Sequence, residues 1–454
     1  MSQIVKAMDP LEVVEHVVAR ARRAGATACD AVAVEGESSS TSVRLGEVET
    51  VKLSRERRLG LRCFAGESSA VASTADFDPA AIDAFAAQVV EMARAVAPDP
   101  FSGFPDPALL AKDWPDLELY DPAGLELPPE ERVARAKACE AAALSADPRL
   151  VNSEGADFAL GSARVAYASS AGFAGTYRST SYSLSAAPVA SENGAMQRDY
   201  WYDASRSLAR LADPESIGKM AAARTLRRLG AVPVPTQQVP IVFDPQTAAS
   251  LLSHLAGAVC GGALYRRASF LLDKLGEEIA SPLFTVIDDG RLARGLASRP
   301  FDAEGTATRR TVVVERGVLK SYLLDGYAAR KLSMTSTGSA SRSVGDVPGA
   351  SPTNFHLAAG DHTPEQIIAS VPRGLYVTGL SGFGVNGVTG DYSRGASGLW
   401  IENGELTHPV EEVTIAGNLL QMYRDVEMVG NDLVFRSSIV APTLKIRQMT
   451  LAGR

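Results

Sequence analysis

The chain has 454 residues, 46 % hydrophobic and 22 % charged, with a formal net charge of −8. It is long enough for two self-sufficient cores, and its composition is that of an ordinary globular protein. Basic residues fall mostly in doublets such as Arg22-Arg23 and Arg266-Arg267, which argues against a nucleic-acid partner, and no apolar run reaches the ~20 residues of a membrane helix.

The opening segment MSQIVKAMDPLEVVEH meets charge before any long apolar run, so it reads as neither a secretion signal nor an anchor. Asp9-Pro10 predicts a helix start, aspartate as cap and proline in the first turn, with a stripe of Leu11, Val14, Val17, Val18 and Ala21 and a stop at Gly25. From Cys29 to about Ala75 the pattern alternates and predicts three or four short strands. Asp78-Pro79 opens a second helix to about Ala95. Residues 97–130 are dense in proline and predict a long ordered surface loop anchored by Trp114. A helix from Pro129 to Leu144 follows, then a β-meander over about Leu150–Ala209 carrying Tyr200, Trp201 and Tyr202.

Asp213-Pro214 starts a helix that ends at Gly230, and AVPVPTQQVP reads as a linker. The fold class expected is α+β in two domains. Residues 1–235 form a mixed helix and antiparallel-sheet domain, and 236–454 a β-rich domain. In the second, VPIVFDP is a strand that runs into a helix capped by Asp244-Pro245. SPLFTVIDD, TRRTVVVERGVLKSYLLD, GLYVTGL, GLWIENGELTHPV, EEVTIAG and TLKIRQMTLAG read as strands, with an Asn403-Gly404 hairpin turn and a short helix near Tyr327–Leu332.

Four features invite chemistry. Gly382-Phe383-Gly384-Val385-Asn386-Gly387 spells G-x-G-x-x-G, yet the glycines that follow predict no helix to receive a pyrophosphate. A glycine-rich loop permitting close backbone or ligand approach is the better reading. His254 and Cys260 share one predicted helix, but six residues turn it through about 600°, which separates them. The cysteines Cys29, Cys63, Cys139 and Cys260 form no C-x-x-C pair, against a zinc knuckle or disulfide framework and in keeping with a reducing cytoplasm. Of the acidic pairs, Glu277-Glu278 and Asp288-Asp289 look like solvated turns. Asp302 and Glu304 sit in a distinctive loop that suits a site or a plain turn.

Several blocks resemble the TldD/PmbA family, the modulators of DNA gyrase: SHLAGAVCGGALYRRASFLLDKLGEEI, PFDAEGTATRRTVVVERGVLKSYLLDGYAARKL and GVNGVTGDYSRGASGLWIENGELTHPVEEVTIAGNL, with VRLGEVETVK and CFAGESSAVAST nearer the N-terminus. They span nearly the whole chain and are closer to the PmbA (TldE) branch. The resemblance implies a cytoplasmic subunit of a TldD–TldE metallopeptidase that cleaves unfolded peptides, including leader segments and labile antitoxins. The TldD half carries H-E-x-x-x-H on a helix and a later cysteine ligand, its histidines binding the metal and its glutamate acting as general base.

Carried onto this sequence, the first histidine falls on Ser253, the glutamate on His254 and the second histidine on Ala258, and no cysteine follows Cys260. A one-residue slip puts Leu255 and Val259 in the remaining positions, so either register leaves one imidazole. The expectation is a chain with no catalytic residue and no metal or cofactor of its own. Zinc or a similar divalent ion sits in a TldD-type partner, there is no nucleic-acid or membrane partner, and Gly384, Asn386, Gly387, Tyr392 and Arg394 contact peptide, the last two as polar handles. Two alternatives stay open: a stand-alone metallopeptidase drawing on His254, His356, His362 and carboxylates, and a non-enzymatic regulator-binding protein.

Overall fold

The structure, a computed structural model, describes residues 8–453; the charged opening segment read above lies in part outside the described residues. The first helix, α1 (Pro10–Arg23), leads into β1 (Ala28–Arg44), β2 (Glu47–Ala65), β3 (Ser68–Thr74) and α2 (Pro79–Ala95). After the proline-rich segment come α3 (Pro129–Leu144), β4 (Leu150–Ser169), β5 (Ala174–Glu192), β6 (Ala195–Arg198), β7 (Trp201–Ser205) and α4 (Pro214–Leu226). Where Asp-Pro was read as a start, the aspartate accepts from backbone N–H groups of the first turn: Asp9 from Leu11, Asp78 from Ala80 and Ala81, Asp213 from Ser216.

Among the described residues β1–β7 form one sheet in the order β3-β2-β1-β4-β5-β6, with β7 also on β5. The strands between Cys29 and Ala75 are fewer and longer than expected: β1 has 17 residues and β2 has 19. The polar run Ser38–Ser42 stays in strand because β2 and β4 both pair with it, satisfying its backbone on each side. Cys29 and Cys63, far apart in sequence, stand opposite one another in the β1–β2 register as free thiols. Among the described residues, β2 pairs with β3 over Leu59–Ala65 and has a bare outer edge over 47–58, where Val48, Val51 and Leu53 are exposed.

Side chains alternate across the sheet. Ala31, Ala33, Leu61, Ala166 and Ala168 pack under α1 and α2, and Phe158, Leu160 and Leu184 are buried in a cluster with residues of α3 and α4. The opposite side of β1, β2 and β4 presents Asp30, Val32, Arg62 and Tyr167 to the C-terminal half.

That half begins with β8 (Gln237–Phe243), α5 (Pro245–Ala258) and α6 (Gly261–Tyr265), then β9 (Val286–Asp289), β10 (Arg310–Glu315), β11 (Val318–Leu319) and α7 (Gly326–Lys331). It continues through β12 (Ala340–Ser341), β13 (Gly349–Ala350), β14 (Phe355–Leu357), α8 (Pro364–Ala369), β15 (Arg373–Ser381), β16 (Asp391–Glu402), β17 (Glu405–Asn418), α9 (Leu419–Arg424), β18 (Val426–Val429), β19 (Ile439–Val440) and β20 (Leu444–Ala452). One sheet runs β17-β16-β15-β8-β20-β18 and a second β11-β10-β9-β14-β19. Asn403 and Gly404 make the turn read from the sequence, both at positive φ (52° and 81°). THPV and EEVTIAG belong to one strand, β17, rather than two.

Phe301 reaches across to the first sheet. Its ring centroid lies 5.0 Å from that of Phe173, 5.2 Å from Trp114 and 5.4 Å from Tyr177, so Trp114 does anchor the proline-rich segment. Beside it, Asp30 accepts from Arg62 and Arg342, and Glu304 lies 3.7 Å from Arg62. Asp302 and Glu304 are both buried, and burial pushes both carboxyls above their usual range. Asp288, expected in a solvated turn, is buried as well: its Oδ1 accepts from the backbone N–H and hydroxyl of Thr353, and its pKa is pushed up to about 6 by burial.

Candidate functional site

Asp244 caps α5 by accepting from the Thr247 N–H, and Arg224 on α4 donates to the same carboxylate at 3.1 Å, tying the helix start to the N-terminal half. Leu251, Leu252, Leu255, Ala256 and Ala258 bury one side of α5. Ser250, Ser253, His254 and Gly257 recur at one helical face and line a cavity of about 480 Å³. The helix does not run through the whole stretch from Ser253 to Gly262. It ends at Ala258, and Val259 and Gly261 exchange backbone hydrogen bonds with Leu323 instead. A Cβ on Gly261 would sit 2.3 Å from that of Ala328, so this glycine permits the close packing of α6 on α7. Gly257 has open space where its Cβ would be, so it widens the cavity rather than serving packing.

The other wall is the loop from Gly382 to Gly390 between β15 and β16. Gly382, Phe383, Val385 and Gly387 line the cavity, with Arg394, Ala268, Phe270 and Leu419. No helix follows the G-x-G-x-x-G; Asp391 opens strand β16. The loop is fixed by its own backbone: the Ser393 N–H donates to Gly384 O at 2.7 Å, Asn386 N–H to Asp391 O at 2.8 Å, and Phe270 N–H to Gly387 O at 2.9 Å. A Cβ on Gly384 would lie 2.0 Å from Ser393 O. Asn386 turns its Oδ1 onto the Val388 and Thr389 N–H groups, so its side chain shapes the loop. Phe383 stands fully exposed at the lip.

Electrostatically the cavity is one-sided. Arg394 donates from Nη1 to Ser250 Oγ at 2.9 Å, and no carboxylate among the described residues lines the space. Burial, then the Arg394 charge, lower the pKa of His254 and favour its neutral form. Tyr392 is 2 % exposed, its ring edge-to-face with His254 at 6.0 Å. Buried this way it is not the outward handle expected from its place beside the glycines, and burial pushes its phenol up to about 12. His254 Nε2, the Tyr392 hydroxyl and Arg394 Nε are all buried with no hydrogen-bond partner among the described residues. Three such orphans within one neighbourhood are unusual, because buried polar groups are normally satisfied.

As a metal donor set, Ser253, His254 and Ala258 do not fit. Ser253 spends its hydroxyl on Ser250 O, Ala258 has no donor, and one imidazole falls short of the three protein ligands of a catalytic zinc. Cys260 donates its Sγ–H to Ala256 O, and burial pushes its thiol up to about 12, so it is a packed thiol and not a ready ligand. His356 donates from Nδ1 to Asn354 O and packs on Phe435, while His16 pairs with Asp83. No three His, Cys, Asp or Glu side chains converge as a metal site among the described residues.

Family models for the PmbA/TldA metallopeptidases match three successive parts of the chain: domain 1 over residues 29–93, the central domain over 122–229, and the C-terminal domain over 236–453. The chain is 41 % identical to the metalloprotease PmbA of Escherichia coli O157:H7 over 91 % of its own length and 90 % of that protein. The chain belongs to the PmbA/TldD family. A crystal structure of a proposed modulator of DNA gyrase from Bacteroides thetaiotaomicron superposes with a TM-score of 0.91 at 31 % identity, covering 97 % of this chain and 98 % of that one. TldE from Thermococcus kodakarensis shares the fold, with a TM-score of 0.88 at 22 % identity, covering 97 % and 99 %. As in that family, the chain is mixed helix and sheet at its N-terminal end and β-rich toward its C-terminus, and no described helix is long and apolar enough to cross a membrane.

The structure therefore places Ser253, His254, Ala258, Gly387 and Arg394 around one cavity, with Tyr392 beneath it and Gly384 and Asn386 holding the loop. Sequence reasoning missed Ser250, which orients Arg394, and Phe270 and Phe383, which complete the walls. Ser250 was within reach, three residues before Ser253 on the same face.

Proposed function

We propose that this PmbA/TldD-family chain is the non-metallated subunit of a metallopeptidase complex, and that it forms one wall of the channel that holds unfolded peptide. The catalytic metal, zinc or a similar divalent ion, belongs to a TldD-type partner in the cytoplasm. The chain works as two domains, 1–235 and 236–454. One observation supports the reading: the α5 face onto which the family resemblance carries the metal position offers a single imidazole, His254, and opposite it lies a glycine-rich loop. A loop of glycines lets an extended peptide come close enough to be held by its backbone, the sequence-tolerant mode of strand addition. Exposed Phe383 supplies apolar contact at the entrance.

The test is a peptidase assay of this chain and the TldD-type chain, alone and mixed, with metal analysis of this chain purified by itself. Turnover by the mixture and the partner's metal only is the expected result; turnover and a stoichiometric transition metal in this chain alone would overturn it. Within the mixture, Arg394→Ala lowers turnover while the complex stays assembled by size-exclusion chromatography, and unchanged turnover removes Arg394 from the channel.

A further inference from the structure

Arg394 faces two spaces. Besides the cavity over α5 it lines a second, of about 620 Å³, with Ser250 and Gly379 and, from the N-terminal half, Arg228, Glu154, Arg198 and Asp199. Its charged groups sort into two kinds. Arg198 is paired with Glu154, and Asp199 with Arg224 at 3.3 Å. Arg228 and Arg394 make no ion pair among the described residues. Arg228 Nε donates weakly to the Gln197 side-chain oxygen at 3.3 Å, and its Nη1 stands 3.6 Å from where a Cβ on Gly379 would lie. Arg394 uses Nη1 on Ser250 and leaves Nε buried without a partner. Two half-buried guanidiniums are thus held in place by neutral oxygens, with their charge uncompensated. An arginine so oriented is built to take an oxyanion through parallel N–H bonds.

We propose that this second cavity binds a carboxylate of the extended peptide, a C-terminal carboxylate or an Asp or Glu side chain, between Arg228 and Arg394; this rests on the channel-wall reading above. The peptide then lies along α5, its backbone on the glycine-rich loop and its negative end in the space between the two halves of the chain.

The test uses the full chain and fluorescently labelled unstructured peptides of one sequence, in four forms: free C-terminus, C-terminal amide, and each with an internal Glu or its Gln replacement. Anisotropy titrations are expected to show carboxylate forms binding at least about tenfold tighter than their neutral counterparts, the difference shrinking with added salt. Whether the C-terminal or the Glu comparison carries the difference identifies the source. Arg394→Gln erases it, and so does Arg228→Gln, which leaves the Ser250 contact intact and guards against a folding defect in the first variant. Equal affinity for all four forms overturns the carboxylate site and leaves the channel wall standing; no binding of any form, to this chain or to its complex, overturns both. Discrimination that survives both substitutions also overturns the assignment.

Discussion

Arg342 donates from Nη1 to Asp30 Oδ1 at 2.7 Å, joining two side chains that are 312 positions apart in sequence. Both are almost wholly buried, and Arg62 holds the other oxygen of the same carboxylate. Burial alone raises the pKa of Asp30, and the charges of Arg342 and then Arg62 outweigh it, so the carboxyl is held below its ordinary value. The contact bridges the first sheet and the loop after β12, and its strength follows from having no water to compete.

Arg342→Ala leaves Asp30 with one guanidinium in a dry site. Breaking such a pair costs about 3 kcal/mol in unfolding free energy, at the low end for buried pairs because Arg62 remains. Urea unfolding measures it, and a loss within about 0.5 kcal/mol would show the bridge to be incidental. Because the Asp30 pKa is lowered on folding, its contribution is present above the unfolded carboxylate value of about 4 and fades as pH falls.

Asp288 works in the opposite direction. Its pKa is raised to about 6 by burial, against hydrogen bonds from Thr353. The folded state therefore keeps a proton that the unfolded chain gives up, so stability is full below about pH 4 and declines as pH rises through about 6. Asp288→Asn retains an acceptor for Thr353 and removes the titration. Thermal unfolding at pH 4.5 and 7.5 is expected to show the decline reduced by on the order of 2 kcal/mol in the variant; parallel curves for the two proteins refute the assignment.

Gly384→Ala sets a methyl where Ser393 O now stands, 2.0 Å from the Cβ position. The loop moves off β16 and the cavity over α5 changes shape. The expected outcome is a modest stability loss, about 1–3 kcal/mol, with a larger relative loss of peptide affinity. A variant with wild-type affinity means that the loop does not touch peptide.

Phe301→Ala empties the centre of an aromatic cluster shared by both halves of the chain. The expected loss is about 3–5 kcal/mol. Trp114, 5.2 Å from that ring, reports it through a red-shifted emission maximum. Retained emission and stability would mean the cluster closes over the gap.

What the sequence disclosed and what it withheld divide along a physical line. The caps at Asp9, Asp78, Asp213 and Asp244 and the Asn403-Gly404 turn are decided within four residues, and each stands where the sequence predicts it. Ser38–Ser42 carries no strand signal in its own polar side chains, and its strand character comes from two neighbouring strands. Asp288, Asp302 and Glu304 looked solvated, or undecided, because their surroundings come from segments distant in the chain. The same holds for the site. The α5 face and the glycine-rich run were each legible, but their meeting across one cavity, and the burial of Tyr392 beneath it, are tertiary facts.

The bare edge of β2 over 47–58 bears on how all of these measurements are made. A strand with open backbone donors and acceptors and with Val48, Val51 and Leu53 at the surface is a template for another strand, and its interspersed Glu, Lys and Arg residues restrain that pairing without closing the edge. Protein concentration is therefore a variable in its own right. Binding or turnover per chain that holds constant across dilution belongs to the single molecule, and a value that climbs with concentration reports a sheet continued from one chain into the next.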